Sequence, residues 1–207
     1  MGKKPLTNKS KFLYIVMNLK KKIILCYFII YSALSFAQKK NNLKTKKVEF
    51  GTEIQAYPVG FITTVTSTVF VKENIAIRFR IGGNFANRKD FSGFNDDEKT
   101  SGFGGSFGLL KYFPYKNGNI ILGANVDGWN MWTRWKEAIE TLNPQQGTTY
   151  NLVIQPGLNA GYLYNVSKKL NLGLTLGIGR EINIITRGEN VGQGWIGSLS
   201  LITNYSF

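Results

Sequence analysis

Carboxylates are the side chains that could carry acid–base chemistry in this chain, because its 207 residues include no histidine. The absence of histidine excludes Ser-His-Asp and Cys-His catalysis and histidine metal sites. The single cysteine, Cys26, excludes an intrachain disulfide and any zinc or iron–sulfur motif that needs several thiolates. Glu49 and Glu53 form one candidate pair, but on a strand they would lie about 13 Å apart, too far for a shared-proton dyad or a glycosidase pair. We therefore predict no catalytic residue, no metal site and no cofactor.

The net charge of +14 suggests a nucleic-acid partner until its distribution is considered. Residues 1–37 carry seven lysines and no acid, and residues 38–47 carry five more lysines. Residues 48–207 hold 14 basic and 12 acidic side chains, so this part of the chain is close to neutral. We therefore expect no nucleic-acid partner. A hydrophobic content of 43% also excludes a disordered chain.

Residues 17–38 have the three parts of a secretory signal peptide. Three lysines, Lys20 to Lys22, precede an apolar run of 12 residues from Ile23 to Leu34, and Ser35-Phe36-Ala37 forms a small-x-small cleavage site. The run is shorter than the about 20 residues that a membrane-spanning helix needs. We predict a signal peptide over 1–37, with Met17 as an alternative start, followed by a basic tail over 38–47.

From residue 48 onward the apolar residues recur with period two, which indicates β-strands. Between 170 and 179 the leucines and Ile178 occupy one face, while Asn171, Thr175 and three glycines occupy the other. The same pattern predicts eight strands, and hence an all-β chain with one domain over 48–207. The predicted strands are 48–57, 60–71, 74–84, 102–113, 119–131, 149–164, 169–180 and 194–207. Three long polar connections are predicted, over 85–101, 132–148 and 181–193.

The composition of the polar face decides whether the apolar face points inward or outward. A strand face exposed to water should be rich in Lys, Glu and Thr, whereas here it is rich in Gly, Ser and Asn. Small polar residues fit the narrow interior of an eight-stranded barrel, and the apolar face would then meet lipid. Aromatic residues also group near the strand ends, as expected at two membrane interfaces. One group is Phe113, Tyr115, Tyr162, Tyr164, Tyr205 and Phe207, and the other is Phe103, Trp132, Tyr150 and Trp195.

Five charged residues are predicted to face the interior of this barrel, and buried charges must be paired. They are Glu49, Glu53, Arg78, Arg80 and Asp127. We expect an ion-pair network that fills the lumen, with a proton or ion path as the alternative.

Two of the long connections carry patterns of their own. Helical spacing in WTRWKEAIETLN predicts a short amphipathic helix within 132–148, resting on the barrel rim or contacting a partner. Its apolar residues are Trp132, Trp135, Ile139 and Leu142. The run Asp96-Asp97-Glu98 lacks the spacing of a calcium loop and is interpreted as a solvated charge run.

In its strand architecture over 48–207 and its signal peptide, the chain resembles the small outer-membrane barrels of the OmpX and OmpA N-terminal type, within the family of outer membrane protein beta-barrel domains, and its last residues carry the most specific part of the resemblance. In that class the last strand ends in an aromatic residue, with another two positions earlier, and the assembly machinery recognises this signal. Tyr205 and Phe207 match it, and Ser200 matches its polar position. The family has Gly where this chain has Ile202, so the match is incomplete.

The resemblance implies an eight-stranded antiparallel transmembrane up-and-down barrel in the outer membrane of a Gram-negative bacterium, exported through the periplasm. Its expected partners are outer-membrane lipid and the barrel assembly machinery, and the barrel is expected to be a monomer. The expected function is a structural or surface-interaction role without catalysis, and the sequence does not identify an extracellular partner. A narrow pore, a binder of a small ligand at the extracellular mouth, and a secreted lipocalin-like carrier remain as alternatives.

We predict that the signal peptide is cleaved after Ala37, so that the mature chain begins at Gln38. The basis is the small-x-small pattern that follows the apolar run. Mass spectrometry of the mature N-terminus tests this, and a mature chain that still begins at Met1 or Met17 would contradict it.

Overall fold

The computed structural model describes residues 47–89 and 95–207, and within them every regular element is a β-strand. The signal peptide and all of the basic tail except Lys47 lie outside the described residues. The nine strand segments are β1 (Val48–Tyr57), β2 (Gly60–Lys72), β3 (Ile75–Lys89), β4 (Asp97–Tyr115), β5 (Gly118–Glu137), β6 (Gln145–Asn165), β7 (Leu170–Arg180), β8 (Ile182–Arg187) and β9 (Trp195–Ser206).

The strands form a closed antiparallel ring. Each strand from β1 to β5 pairs with the next, β7 pairs with β9, and β9 pairs with β1. β7 and β8 both pair with β6 and together occupy one position, so nine segments fill eight places around the ring. The prediction of an eight-stranded up-and-down barrel is therefore confirmed. We call the end where β1 begins and β9 ends the terminal end, and the opposite end the loop end.

Glu181 interrupts the seventh strand. Its backbone N–H donates to the carbonyl of Gly194, and its side chain is buried. Beyond it, β8 pairs with β6 alone, with a register shift between Leu152 and Val153. The expected loop over 181–193 is therefore wrong for its first half, because the strand continues past the interruption to Arg187.

The strands at the loop end are longer than the sequence pattern predicted. β3 continues to Lys89 and β4 starts at Asp97, so most of the predicted loop 85–101 is strand. The alternation of sides persists there, with Ala86 and Arg88 buried, but the outward positions become polar, as at Asn87. A segment that is polar on both faces has the composition typical of a loop, although here it is strand. Glu98 is 0% exposed, so the interpretation of 96–98 as a solvated charge run is wrong at that residue.

The predicted helix within 132–148 is also wrong. β5 extends to Glu137 and β6 begins at Gln145, so Trp132 and Trp135 lie on a strand and point to opposite sides. The ring of Trp135 lies over Gly147 on β6, where a Cβ would be 2.6 Å from the tryptophan Cζ2 atom. Ile139 and Leu142 are exposed in the connection between the two strands. The helical spacing arose by chance, because the cross-strand pairing of β5 with β6 determines the local structure.

The outer surface of the barrel is apolar and carries aromatic contacts near both ends. Phe103 stacks on Trp132 at 5.7 Å, and Trp132 contacts Tyr150 at 5.4 Å, toward the loop end. At the terminal end the ring centroids of Tyr205 and Phe207 are 5.1 Å apart. The sequence leaves open which face of β2 points inward. In the structure the inward residues of β2 are Ile62, Thr64, Thr66 and Thr68, all of which are buried. No helix among the described residues is long and apolar enough to cross a membrane.

Adjacent residues on β7 test which side of the wall meets lipid. Leu174 is 56% exposed on the outer face, whereas Thr175 is 4% exposed inside. We predict that a lipid-soluble thiol reagent labels Leu174→Cys and not Thr175→Cys in vesicles. We also expect Leu174→Arg to destabilise the inserted barrel by about 2–4 kcal/mol through exposure to lipid. Equal labelling of the two cysteine variants would contradict this facing.

Candidate functional site

The centre of the lumen is built around Arg80 on β3. Its Nη1 atom donates to Glu53 on β1 at 2.9 Å and to Gln55 at 3.2 Å. Its Nη2 atom donates to both carboxylate oxygens of Asp127 on β5, at 2.8 and 2.9 Å. One guanidinium therefore joins three strands across the lumen. A planar group with five donors is suited to this task, because it can bind two carboxylates in fixed directions.

Arg78, two residues earlier on the same face, extends this central network. Its Nη1 atom is 3.6 Å from Glu53, and its Nε atom donates to the hydroxyl of Thr68 at 3.3 Å. All the charged groups of the network are buried, and Asp127 is 0% exposed. Ions taken out of water in this way remain charged only where partners compensate the lost hydration.

Glu49 forms a second cluster at the terminal end. Its carboxylate accepts from the Ser206 hydroxyl at 3.0 Å and from the side-chain amides of Asn171 and Asn204 at 3.4 and 3.3 Å. Lys47 reaches it from the surface at 2.8 Å. Glu49 therefore links the start of β1 to the end of β9, and the pairing of these two strands closes the ring.

A third cluster, not predicted from the sequence, lies at the loop end. Arg88 donates to both oxygens of Glu181 at 2.8 and 2.7 Å and lies 3.7 Å from Glu98. Burial alone would lower the pKa of the Arg88 guanidinium, but the two carboxylates outweigh this and raise the pKa above its ordinary value. The signal for Arg88 was present in the sequence, because it has the same inward parity as Arg78 and Arg80 on β3.

The connection between β8 and β9 closes over this third cluster. The backbone N–H of Gly192 donates to Glu98 at 3.2 Å, and the side-chain amide of Asn95 donates both to Glu98 and to the carbonyl of Asn190. Val191 is buried beside them. The loop end of the lumen is thus covered by backbone held on a buried carboxylate.

Two apolar clusters separate the charged levels. Toward the loop end, Trp129 packs in a group that includes five further buried residues, which are Tyr57, Ile62, Ala86, Met131 and Val153. Toward the terminal end a second group is formed by Ala76, Leu110, Tyr112, Ile121, Leu163 and Ile202. Ile202 occupies the position where the resembling family has Gly, and here its side chain fills the lumen. Apolar packing above and below the central network separates that network from the two ends of the lumen.

The inward glycines make room for these large side chains. A Cβ on Gly104 would lie 2.7 Å from the ring of Trp129, and one on Gly102 would lie 2.5 Å from the sulfur of Met131. Cavities of about 20 and 30 Å³ lie in the lumen beside Glu53 and Arg80. Each has room for only one or two water molecules.

The remaining sequence-predicted residues lie on the outside of the barrel. Tyr205 and Phe207, the predicted assembly signal, are exposed at the end of β9, and Phe207 packs edge-on against Phe50 at 5.7 Å. Trp132 belongs to the aromatic contacts at the loop end, and Leu142 is 100% exposed in the adjoining connection. No group of three or more histidine, cysteine or acidic side chains in residues 47–89 and 95–207 is arranged to hold a metal ion.

Comparison with known proteins assigns this architecture to a class. No family model and no curated protein matches the sequence. Among solved structures, the chain is similar to a major outer membrane protein from Thermus thermophilus, with a TM-score of 0.54, 16% identity, and coverage of 79% of this chain and 100% of the other. It is also similar to Neisserial surface protein A, with a TM-score of 0.50, 12% identity and coverage of 78% and 96%. The chain therefore has the fold of the small outer-membrane β-barrels.

We predict that Arg80→Met destabilises the folded barrel by about 3–5 kcal/mol, because it leaves two buried carboxylates without their cation. Equilibrium unfolding in urea, with the barrel in lipid vesicles, measures the loss. Arg180→Met is the matched control, since Arg180 is exposed and its guanidinium lies 5.8 Å from the ring of Trp195. We expect the control to lose less than about 1 kcal/mol. Equal losses in both variants would mean that the central network does not hold the strands together.

Proposed function

We propose that the chain spans the outer membrane of a Gram-negative bacterium as a closed, monomeric, non-enzymatic barrel. Its terminal end lies in the periplasm, and its loop end presents a surface for interaction outside the cell. The observation that carries this proposal is that the barrel is apolar on its outer face and charged in its interior, the reverse of a barrel that is surrounded by water.

The height of the apolar outer surface fits a bilayer. Ile120 and Trp132 are both outward residues of β5 and lie twelve positions apart. That interval is about 40 Å along a strand, and about 30 Å along the barrel axis at a tilt of about 40°. A hydrocarbon core is about 30 Å thick. Beyond Trp132 the outward residues are Arg134 and Lys136, which belong in water or among headgroups.

The closed ring and its final strand support the proposed assembly and oligomeric state. Ring closure pairs β1 to β7 and β9 on both sides, and β8, which pairs with β6, is hydrogen-bonded at Asn183 to the connection that follows it, so no second subunit is needed to cover a long sheet edge. Tyr205 and Phe207 are exposed on the outside of β9, where the barrel assembly machinery could reach them. Lipid and that machinery are therefore the proposed partners.

The contents of the lumen argue against the alternative functions. A pore needs a continuous water path, whereas two apolar clusters and three ion clusters occupy this interior. A lipocalin-like carrier needs an apolar cavity of ligand size, and the two cavities here are about 20 and 30 Å³ with charged walls. The carboxylates are held in ion pairs, which leaves little basis for a catalytic role.

An uneven rim supports a surface-interaction role. The turn between β1 and β2 lies at Pro58-Val59, whereas β3 to β6 continue past the level of the aromatic contacts. These longer strands form a wall on one side of the mouth. We propose this wall as the element that contacts an extracellular partner.

Labelling of intact cells tests the proposed location and orientation together. After removal of the signal peptide the chain has no cysteine, so single cysteines can be introduced. We predict that Leu142→Cys reacts with a membrane-impermeant maleimide on intact cells, because Leu142 is 100% exposed at the loop end. Lys168→Cys, in the turn between β6 and β7 at the terminal end, should react only after the outer membrane is permeabilised.

The same samples show whether a folded barrel is present. A folded outer-membrane barrel should pellet with membranes and shift in gel migration on boiling. A soluble, unshifted protein would contradict the proposal and favour the carrier. If Lys168→Cys and not Leu142→Cys were labelled on intact cells, the orientation of the barrel would be the opposite of the one proposed.

A further inference from the structure

Three cations lie on the outer face of the barrel, at or just beyond the level of the aromatic contacts of the loop end. They are Lys99 on β4, Arg134 on β5 and Arg187 at the end of β8, and all three are exposed. We call them the outer basic surface. Arg134 is two positions beyond Trp132 on the same face, about 7 Å along the strand. This is the level at which headgroups meet a membrane protein.

The register places two of these cations against each other. Lys99 and Arg134 are direct cross-strand partners, and their other neighbours are Asn87 and Thr148. Like charges directly opposite each other on a sheet destabilise it. Among the described residues, no carboxylate forms an ion pair with Lys99, Arg134 or Arg187. The barrel thus holds an unfavourable pair at a site where an external anion would make it favourable.

Arg187 extends the surface across the next strands. It is the register partner of Tyr150, and its guanidinium lies 5.8 Å from the centre of that ring. Tyr150 contacts Trp132, so the aromatic side chains form a floor beneath the cations. From β4 to β8 the three charges span three strand spacings, about 15 Å. This width suits an anion with more than one phosphate, or several phosphates in a layer.

The terminal end has lysines as well, but they are arranged differently. Lys111 has Ile75 and Leu122 as register partners, and its ammonium lies over the ring of Phe113 at 5.7 Å. Lys169 lies over the ring of Tyr205 at 5.8 Å. Neither is opposed to another cation, and arginine, which binds phosphate through paired donors, is present only at the loop end among the outward residues described.

We propose that Lys99, Arg134 and Arg187 form a binding surface for the phosphate groups of the outer-leaflet lipid. The aromatic floor would contact the start of the acyl region, while the cations would bind the phosphates above it. Lys136 is left out, because Asp97 is its cross-strand partner. The inference goes beyond the proposed function, and it rests on that proposal for the membrane and its orientation.

The test compares lipids that differ only in phosphate. The folded barrel in neutral detergent micelles is titrated with phosphorylated lipid A and with lipid A from which the phosphates have been removed. Tryptophan fluorescence reports the apparent Kd. We expect tighter binding of the phosphorylated lipid, and inorganic phosphate should not compete at an equal phosphorus concentration, because the acyl chains contribute to binding at the aromatic floor.

Two triple variants separate this surface from general attraction to positive charge. Lys99→Gln, Arg134→Gln and Arg187→Gln together should weaken binding of phosphorylated lipid A on the order of a hundredfold, about fivefold for each charge. The control removes the same number of charges from the terminal end, through Lys111→Gln, Lys168→Gln and Lys169→Gln. The control should weaken binding by less than about threefold, because those side chains lie at the far interface.

Boiling-dependent gel migration, recorded for each sample, distinguishes the two possible failures. Equal binding of the two lipids, equal losses in the two triple variants, or full competition by inorganic phosphate would overturn the proposed surface while leaving the barrel in place. A wild-type chain without heat-modifiable migration would overturn the membrane proposal and this inference with it.

Discussion

A ring of eight strands encloses a space only as wide as the side chains that point into it, so each inward charge must find its partner inside. Arg80 meets this requirement for the middle of the barrel. It binds Glu53 on β1 and Asp127 on β5, and these strands are not its neighbours in the ring. The pairing fixes the cross-section of the barrel at this level. Strand register follows from the same constraint, because a shift by one residue would turn the charges toward the outer face.

The rest of the interior is arranged around that central network. Inward glycines such as Gly104 leave room for Trp129, and apolar clusters lie on both sides of the ion pairs. The Glu49 cluster closes the terminal end, and the Arg88 cluster, with the connection between β8 and β9 above it, closes the loop end. A lumen filled in this way leaves the outer face and the rim as the surfaces for interaction, and we propose that lipid surrounds the wall and that a partner contacts the loop end.

The architecture could be predicted from the sequence because its period-two pattern is strong where one face is apolar, as in Leu170 to Ile178. The inward positions of Glu53, Arg78, Arg80 and Asp127 follow from parity alone, although their partners do not, since pairing depends on register and on the curvature of the ring. Prediction from periodicity failed where both faces become polar. There Arg88 and Glu98 are hidden in segments whose composition resembles a loop, and the accidental helical spacing of Trp132 and Trp135 was misleading. Glu181 could not have been predicted from periodicity, because it lies at an irregularity of the strand.

The central claim is that this barrel is closed by its own side chains, and single-channel recording tests it most directly. The purified, heat-modifiable barrel is inserted into a planar lipid bilayer under a constant voltage. We expect no stable conductance steps, because the cavities of about 20 and 30 Å³ beside Arg80 lie between two apolar clusters that fill the lumen on either side. Long-lived, large and uniform steps from single barrels would contradict the claim, and they would mean that the lumen is a pore whose ion pairs line a water path.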